Sequence, residues 1–116
     1  HARLCRATRA AAQALGLKLL APDSPSPAAT GIYLPAGIDA DAVLEYLRDK
    51  MNVILAEGQD QLKGKAIRIA HIGYMGAFDV ITAIAALEMA LRKFGAEVPL
   101  GRGVAAAQEV LLETLP

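Results

Sequence analysis

Ala66-Ile67-Arg68-Ile69-Ala70-His71 is the stretch on which the fold turns. Bulky β-branched residues alternate there with small or polar ones, the period-two signature of a strand. Ile67, Ile69 and His71 then share one face, and Ala66, Arg68 and Ala70 the other. Isoleucines belong against helices, so Arg68 is expected to project from the opposite face, between two small residues that leave room around its guanidinium. Two readings of it stay open. It is a solvated arginine on an exposed sheet face, or it anchors a carboxylate or phosphate, which a planar guanidinium grips through two parallel hydrogen bonds. His71 reads as a structural residue at a strand end, or as a ring donor near that anchor.

The pattern extends in both directions. Downstream, Gly73 and Gly76 mark a turn, and Asp79 is expected to cap a helix carrying Val80, Ile84, Leu87 and Leu91 on one stripe, with Gly95 just past its end. After Pro99 a last helix places Val104, Ala107, Leu111 and Leu115 on one face. Upstream, a polar loop from Glu57 to Lys65 joins the central strand to a short apolar strand at Val53–Ala56, and so short a loop implies antiparallel pairing. Before that, Asp39 offers an N-cap carboxylate, with Ile38 and Val43 at hydrophobic-staple spacing. The helix it starts is expected to reach about Met51 and to bury Val43, Leu44, Leu47 and Met51. Thr30–Leu34 reads as a strand ended by Pro35-Ala36-Gly37. Residues 21 to 30, with Pro22, Pro25 and Pro27, read as a loop. The first twenty residues read as a helix bearing Leu4, Thr8, Ala11 and Leu15, a stop at Gly16 and a strand at Leu17–Leu20. This order predicts an α/β two-layer sandwich: a small, mainly antiparallel sheet with helices packed on one face.

Composition sets the outer limits. The chain has 116 residues, 54% hydrophobic and 21% charged, which suits one domain with a real core. Twelve basic and twelve acidic residues cancel, removing the electrostatic footprint of a nucleic-acid binder. No apolar run approaches the ~20 residues of a membrane span. Cys5 is the single cysteine, so no internal disulfide forms and a reduced, cytoplasmic compartment is expected. With two histidines besides, the chain has too few soft ligands for a structural zinc site, and no metal is expected. It begins with His1 rather than methionine, so it is expected to derive from something longer or processed. Arg3, Arg6, Arg9 and Lys18 with no acid in the first twenty residues resemble a mitochondrial presequence. An ordinary helix with a solvated basic face is favoured, since regular structure follows without a cleavage-type linker.

Three motif look-alikes fail on spacing. Gly101-Arg-Gly-Val-Ala-Ala106 spells GxGxxA at a helix start. The dinucleotide fingerprint also needs a second strand with an acid about 20 residues on, and only ten residues follow Ala106. Gly58 to Lys65 ends in Gly-Lys but has five residues between its glycines, with Ala66 where a phosphate loop has Ser or Thr. Cys5 has no base nearby in sequence and reads as a packing residue.

Gly64-Lys-Ala-Ile-Arg-Ile-Ala-His-Ile-Gly-Tyr74, followed by Asp79-Val-Ile and Ala86-Leu-Glu-Met-Ala-Leu91, resembles the C-terminal end of class V pyridoxal-phosphate aminotransferases, nearest the alanine–glyoxylate and serine–pyruvate branch. Leu34-Pro-Ala-Gly-Ile-Asp39 and Ala56-Glu-Gly-Gln-Asp-Gln-Leu-Lys-Gly64 fit the same pattern. His1-Ala-Arg-Leu with Ala7-Thr-Arg-Ala10 is similar to the helix leading into the family's small domain. The likeness spans essentially the whole chain. It implies that residues 1–116 are the C-terminal small domain of a fold-type I enzyme, and that the large pyridoxal-phosphate-binding domain is absent from them. It also places the family's substrate-carboxylate arginine at Arg68, although Ala70 stands where the family commonly has glycine. None of Lys18, Lys50, Lys63, Lys65 or Lys93 sits in the family's Schiff-base context, so no catalytic residue and no cofactor are expected within this chain. The implied parent is a homodimer moving an amino group from alanine, serine or a similar donor to glyoxylate, pyruvate or another 2-oxo acid. By itself the chain is expected to be inactive. The alternatives are a stand-alone α/β module binding a small anionic effector through Arg68, and a purely structural domain.

Overall fold

A computed structural model describes residues 2–20, 29–58, 63–70 and 76–115. The chain runs α1 (Ala2–Ala14), β1 (Lys18–Leu19), β2 (Ala29–Tyr33), α2 (Ala40–Met51), β3 (Ala56–Glu57), β4 (Ala66–Ala70), α3 (Ala77–Lys93) and α4 (Arg102–Leu112). The four strands form one antiparallel sheet in the order β1-β2-β4-β3, which puts the stretch around Arg68 at its centre.

Alternation sorts the sheet into two faces. Ile67 pairs with Ile32, Ile69 with Thr30, and Ile32 also faces Leu19. These side chains are all buried, and the aliphatic ones pack with Val43 and Leu47 of α2 and Leu87 and Leu91 of α3. Fully burying a side chain of this size stabilises the fold by roughly 1.5–3 kcal/mol. A second cluster forms away from the sheet, where Leu4, Ala7 and Ala11 of α1 meet Val80 and Ile84 of α3 and Ala107 and Leu111 of α4. The alanines let these three helices approach closely. No helix among the described residues is long and apolar enough to cross a membrane.

The caps show why the elements stop where they do. Asp39 accepts a hydrogen bond from the Asp41 N–H at 3.1 Å and starts α2 as expected. Ile38 packs on the same cluster as Val43. Val43 and Leu47 are fully buried, whereas Leu44 and Met51 are half-buried at the edge of that cluster.

Three expectations need correction. The strand expected at Val53–Ala56 pairs only over Ala56–Glu57. Asn52 takes a left-handed conformation (φ 57°), and the N–H groups of both Asn52 and Val53 bond back to the Leu47 carbonyl, so they close α2 instead of opening a strand. Asp79 does not occupy the cap position of α3. The helix starts at Ala77, and from its first turn Asp79 reaches back to accept the Gly76 N–H at 2.8 Å. Finally, α4 ends at Leu112, so Leu115 lies beyond the helix and is exposed. Pro22, Pro25, Pro27, His71 and Gly73 lie outside the described residues.

Candidate functional site

Arg68 stands where alternation puts it, on the sheet face turned away from the buried isoleucines, and is itself half-buried. Its cross-strand neighbours are Gly31 on β2 and Ala56 on β3. Directly opposed residues share a face, so neither residue paired with the arginine carries a side chain larger than a methyl, and on the β2 side Leu20 leans over Gly31. Gly31 has a packing reason to stay bare, because a Cβ there would come within 2.9 Å of the Leu20 side chain. Further along the same face, Tyr33 pairs with Lys18 at the β1 edge.

The guanidinium is held from one side. Arg68 Nε donates to the Glu57 carbonyl at 2.9 Å. That bond uses the nitrogen nearest the stem and fixes the plane of the group, and it leaves the two terminal nitrogens to address something else. A planar donor pair at a fixed angle suits a carboxylate.

A charged network runs beside it on the β3 edge. Lys63 Nζ lies 2.8 Å from Asp41 Oδ2 and 3.6 Å from Glu57 Oε2, tying the end of the loop to α2 and to β3. The hydrogen bond to Asp41 raises the Lys63 pKa above its ordinary value of 10.5, with the charges of Asp41 and Glu57 adding to it. All three side chains are partly exposed, so each pair is worth little in isolation.

Other sequence candidates are not brought to Arg68. Cys5 is buried 3.7 Å from the Thr30 hydroxyl. Thr30 pairs with Ile69, so Cys5 lies on the helical side of the sheet. No cluster of three or more His, Cys, Asp or Glu with metal-ligand geometry occurs among the described residues.

One important polar group escaped the sequence reading. Glu88 on α3 is 3% exposed, and its two carboxylate oxygens accept the backbone N–H groups of Gly101 (2.7 Å) and Val104 (3.0 Å). It thus caps the N-terminus of α4 from another helix. The look-alike GxGxxA finds its use here. Gly101 adopts φ +83°, and a Cβ at Gly103 would fall 2.7 Å from Glu88 Oε2. The anion at this glycine-rich helix start is the chain's own carboxylate. A signal was available, since an acid one residue after Leu87 and four after Ile84 falls on the buried stripe of α3.

No protein-family model matches the chain. Individual relatives do. A soluble hydrogenase small subunit from Synechococcus is 44% identical over 113 residues, covering 96% of this chain and 29% of that protein. A serine–glyoxylate aminotransferase from Methylorubrum extorquens is 40% identical over 115 residues, covering 97% of this chain and 29% of its own length. Among solved structures, pyridoxamine–pyruvate aminotransferase from Mesorhizobium loti superposes with a TM-score of 0.93 at 30% identity, over 99% of this chain and 30% of that one. The chain therefore spans under a third of the length of the curated relatives it matches. The relatives' names are not uniform, but the close structural matches are to aminotransferases, as are most of the sequence relatives. In sequence and in backbone alike, the chain is homologous over nearly its whole length to a segment of the class V pyridoxal-phosphate aminotransferases, the family its sequence resembles.

Proposed function

We propose that residues 1–116 are the C-terminal small domain of an aminotransferase in which Arg68 binds the substrate carboxylate. The parent enzyme moves an amino group from alanine, serine or a similar donor to glyoxylate, pyruvate or another 2-oxo acid. The observation that carries this reading is the placement of Arg68. It lies at the centre of the sheet on the face turned away from the isoleucines, with its guanidinium plane fixed by the Glu57 carbonyl and with only glycine and alanine paired across from it. The names of the relatives support the acceptor class, since glyoxylate and pyruvate recur in them.

Pyridoxal phosphate, where bound, supplies the electron sink for this chemistry. An amine that forms a Schiff base reacts from an enclosed, desolvated setting. Lys18, Lys50, Lys63, Lys65 and Lys93 are all exposed here, and none sits in the Schiff-base context of the family the sequence resembles, so no lysine of this segment is assigned to the cofactor. The large domain of the same polypeptide is assigned that task. The contribution of this segment is orientation. Two terminal guanidinium nitrogens donate to the two carboxylate oxygens, which fixes the Cα–H of the amino acid relative to the reacting centre. A homodimer and a cytoplasmic setting complete the reading, the first from the family resemblance and the second from a sequence whose one cysteine, Cys5, leaves no internal disulfide to form.

The test is a half-reaction in the full-length enzyme. Arg68→Lys keeps the charge and loses the planar two-pronged grip. Since charge-assisted hydrogen bonds contribute roughly 1.5–3 kcal/mol each, kcat/KM for the amino donor should fall by roughly ten- to a hundred-fold. Arg68→Ala should lose more, with folding little affected. If Arg68→Ala converts donor as fast as the parent at low donor concentration, Arg68 is a surface arginine and the assignment fails.

A further inference from the structure

The Arg68 side chain on β4 does not bond to the residue paired with it on β3. The residue directly across from Arg68 on β3 is Ala56, while the carbonyl that its Nε reaches belongs to the next residue, Glu57. The arginine stem must therefore run sideways over β3, past position 56, before Nε arrives 2.9 Å from the Glu57 oxygen. Opposed residues on antiparallel strands have Cβ atoms only about 4.5–5.5 Å apart, so whatever stands at 56 meets that stem. Alanine presents one methyl group there. Ala56 is half-buried, in keeping with a long side chain lying across it.

We infer that Ala56 is a positioning residue for the substrate carboxylate: its small side chain lets Arg68 lie across β3 and lock onto the Glu57 carbonyl, which aims the terminal guanidinium nitrogens. This rests on the reading of Arg68 as the carboxylate anchor and extends it to a residue that touches no substrate. On the other flank the Leu20 side chain lies over Gly31 on the face of the arginine, so packing against Leu20 dictates that residue. Ala56 stands on a two-residue edge strand, a setting that ordinarily favours larger β-forming side chains. Its smallness answers to the arginine above it.

The mechanism predicts a particular kinetic signature. A valine or leucine at 56 fills the space under the stem and pushes the guanidinium off the Glu57 carbonyl. The charge remains near the substrate but the donor plane is no longer fixed. Binding of the carboxylate weakens most, because a substrate that does bind still meets the retained guanidinium charge and is oriented by it.

The experiment uses the full-length, cofactor-loaded enzyme with L-serine as the probe donor. Ala56→Val and Ala56→Leu should raise KM for L-serine in order of size, about five-fold and more than ten-fold, with kcat held within about three-fold. Valine is a strong strand former, so the first variant keeps the test valid if the second folds poorly. In an Arg68→Ala background the same substitutions should add almost nothing, because the side chain they displace is gone. A KM unchanged by either variant overturns the inference, as does a full additive loss in the Arg68→Ala background, which would mark a general disturbance of the sheet. The two readings fail separately. If Arg68→Ala itself leaves KM unchanged, the carboxylate anchor falls. If Arg68→Ala raises KM and both Ala56 variants behave as the parent, only the positioning role falls.

Discussion

Removing the Glu88 carboxylate should unfasten α4. Two backbone N–H groups, of Gly101 and Val104, end on its oxygens at 2.7 and 3.0 Å, and the residue is 3% exposed. Hydrogen bonds to a charged group contribute roughly 1.5–3 kcal/mol each, which sets an upper range of roughly 3–6 kcal/mol for the pair. Gly101 lies at the surface, so water can take over its N–H once the carboxylate is gone, and that recovers much of one bond. Glu88→Ala should therefore cost about 2–3 kcal/mol. At roughly 4 °C per kcal/mol for a domain of this size, the midpoint should fall by about 8–12 °C. Glu88→Gln keeps the shape and one acceptor oxygen but turns an amide donor towards a backbone donor, and should cost about 1–2 kcal/mol. The assays are urea and thermal unfolding of the 116-residue chain, both followed by far-UV circular dichroism. Gly103→Ala sharpens the test, because its Cβ would lie 2.7 Å from Glu88 Oε2 and 2.9 Å from Leu15 Cδ1. The substitution should be less harmful when Glu88 is already alanine, giving a non-additive cycle. A loss below about 0.5 kcal/mol for Glu88→Ala, or strict additivity with Gly103→Ala, would refute the account of how α4 is held.

Asp39→Ala removes the side-chain acceptor for the Asp41 N–H and should destabilise the chain by about 1 kcal/mol, seen as a lower urea midpoint with unchanged slope. Lys63 carries a pH signature of definite sign. Its folded pKa lies above 10.5, so the stabilisation it draws from Asp41 and Glu57 is complete below that value and is lost as pH climbs through the folded pKa. The gap in urea midpoint between the parent and Lys63→Met should therefore shrink as the buffer is raised from about pH 9 to about pH 11.5, and a gap that widens would contradict the assignment.

The central strand was legible because alternation is a local property. Ile67 and Ile69 needed only a buried face, and that alone sends Arg68 to the other side. The helices were legible for a related reason: Val80, Ile84, Leu87 and Leu91 repeat at the spacing of one buried stripe. Strand β3 was misplaced because two residues carry no periodicity, and its position is set by pairing with Arg68 and Ile67, which only the folded sheet supplies. The cap of α3 was misread because a carboxylate within the first turn can reach back to the Gly76 N–H and do the work of a cap without occupying its position. Glu88 was passed over for a different reason. Its partners lie 13 and 16 residues away across a helix–helix junction, so the bond is invisible to any local window. The bond from Arg68 to Glu57, eleven residues apart, is of the same kind, which is why sequence located the arginine but not what aims it.

The packing of α1 against α4 has a consequence for the order of synthesis. The face of α1 formed by Leu4, Ala7 and Ala11 is completed by Ala107 and Leu111, and Arg3 Nη1 reaches the Thr114 hydroxyl at 3.4 Å. On a ribosome adding about 5–20 residues per second, roughly 100 residues separate the two helices, so α1 waits about 5–20 s for its partner. During that interval the sheet and α2 can already assemble around the isoleucines, while the first helix keeps an apolar strip uncovered. The helix made roughly 100 residues after α1 is thus the one that seals it.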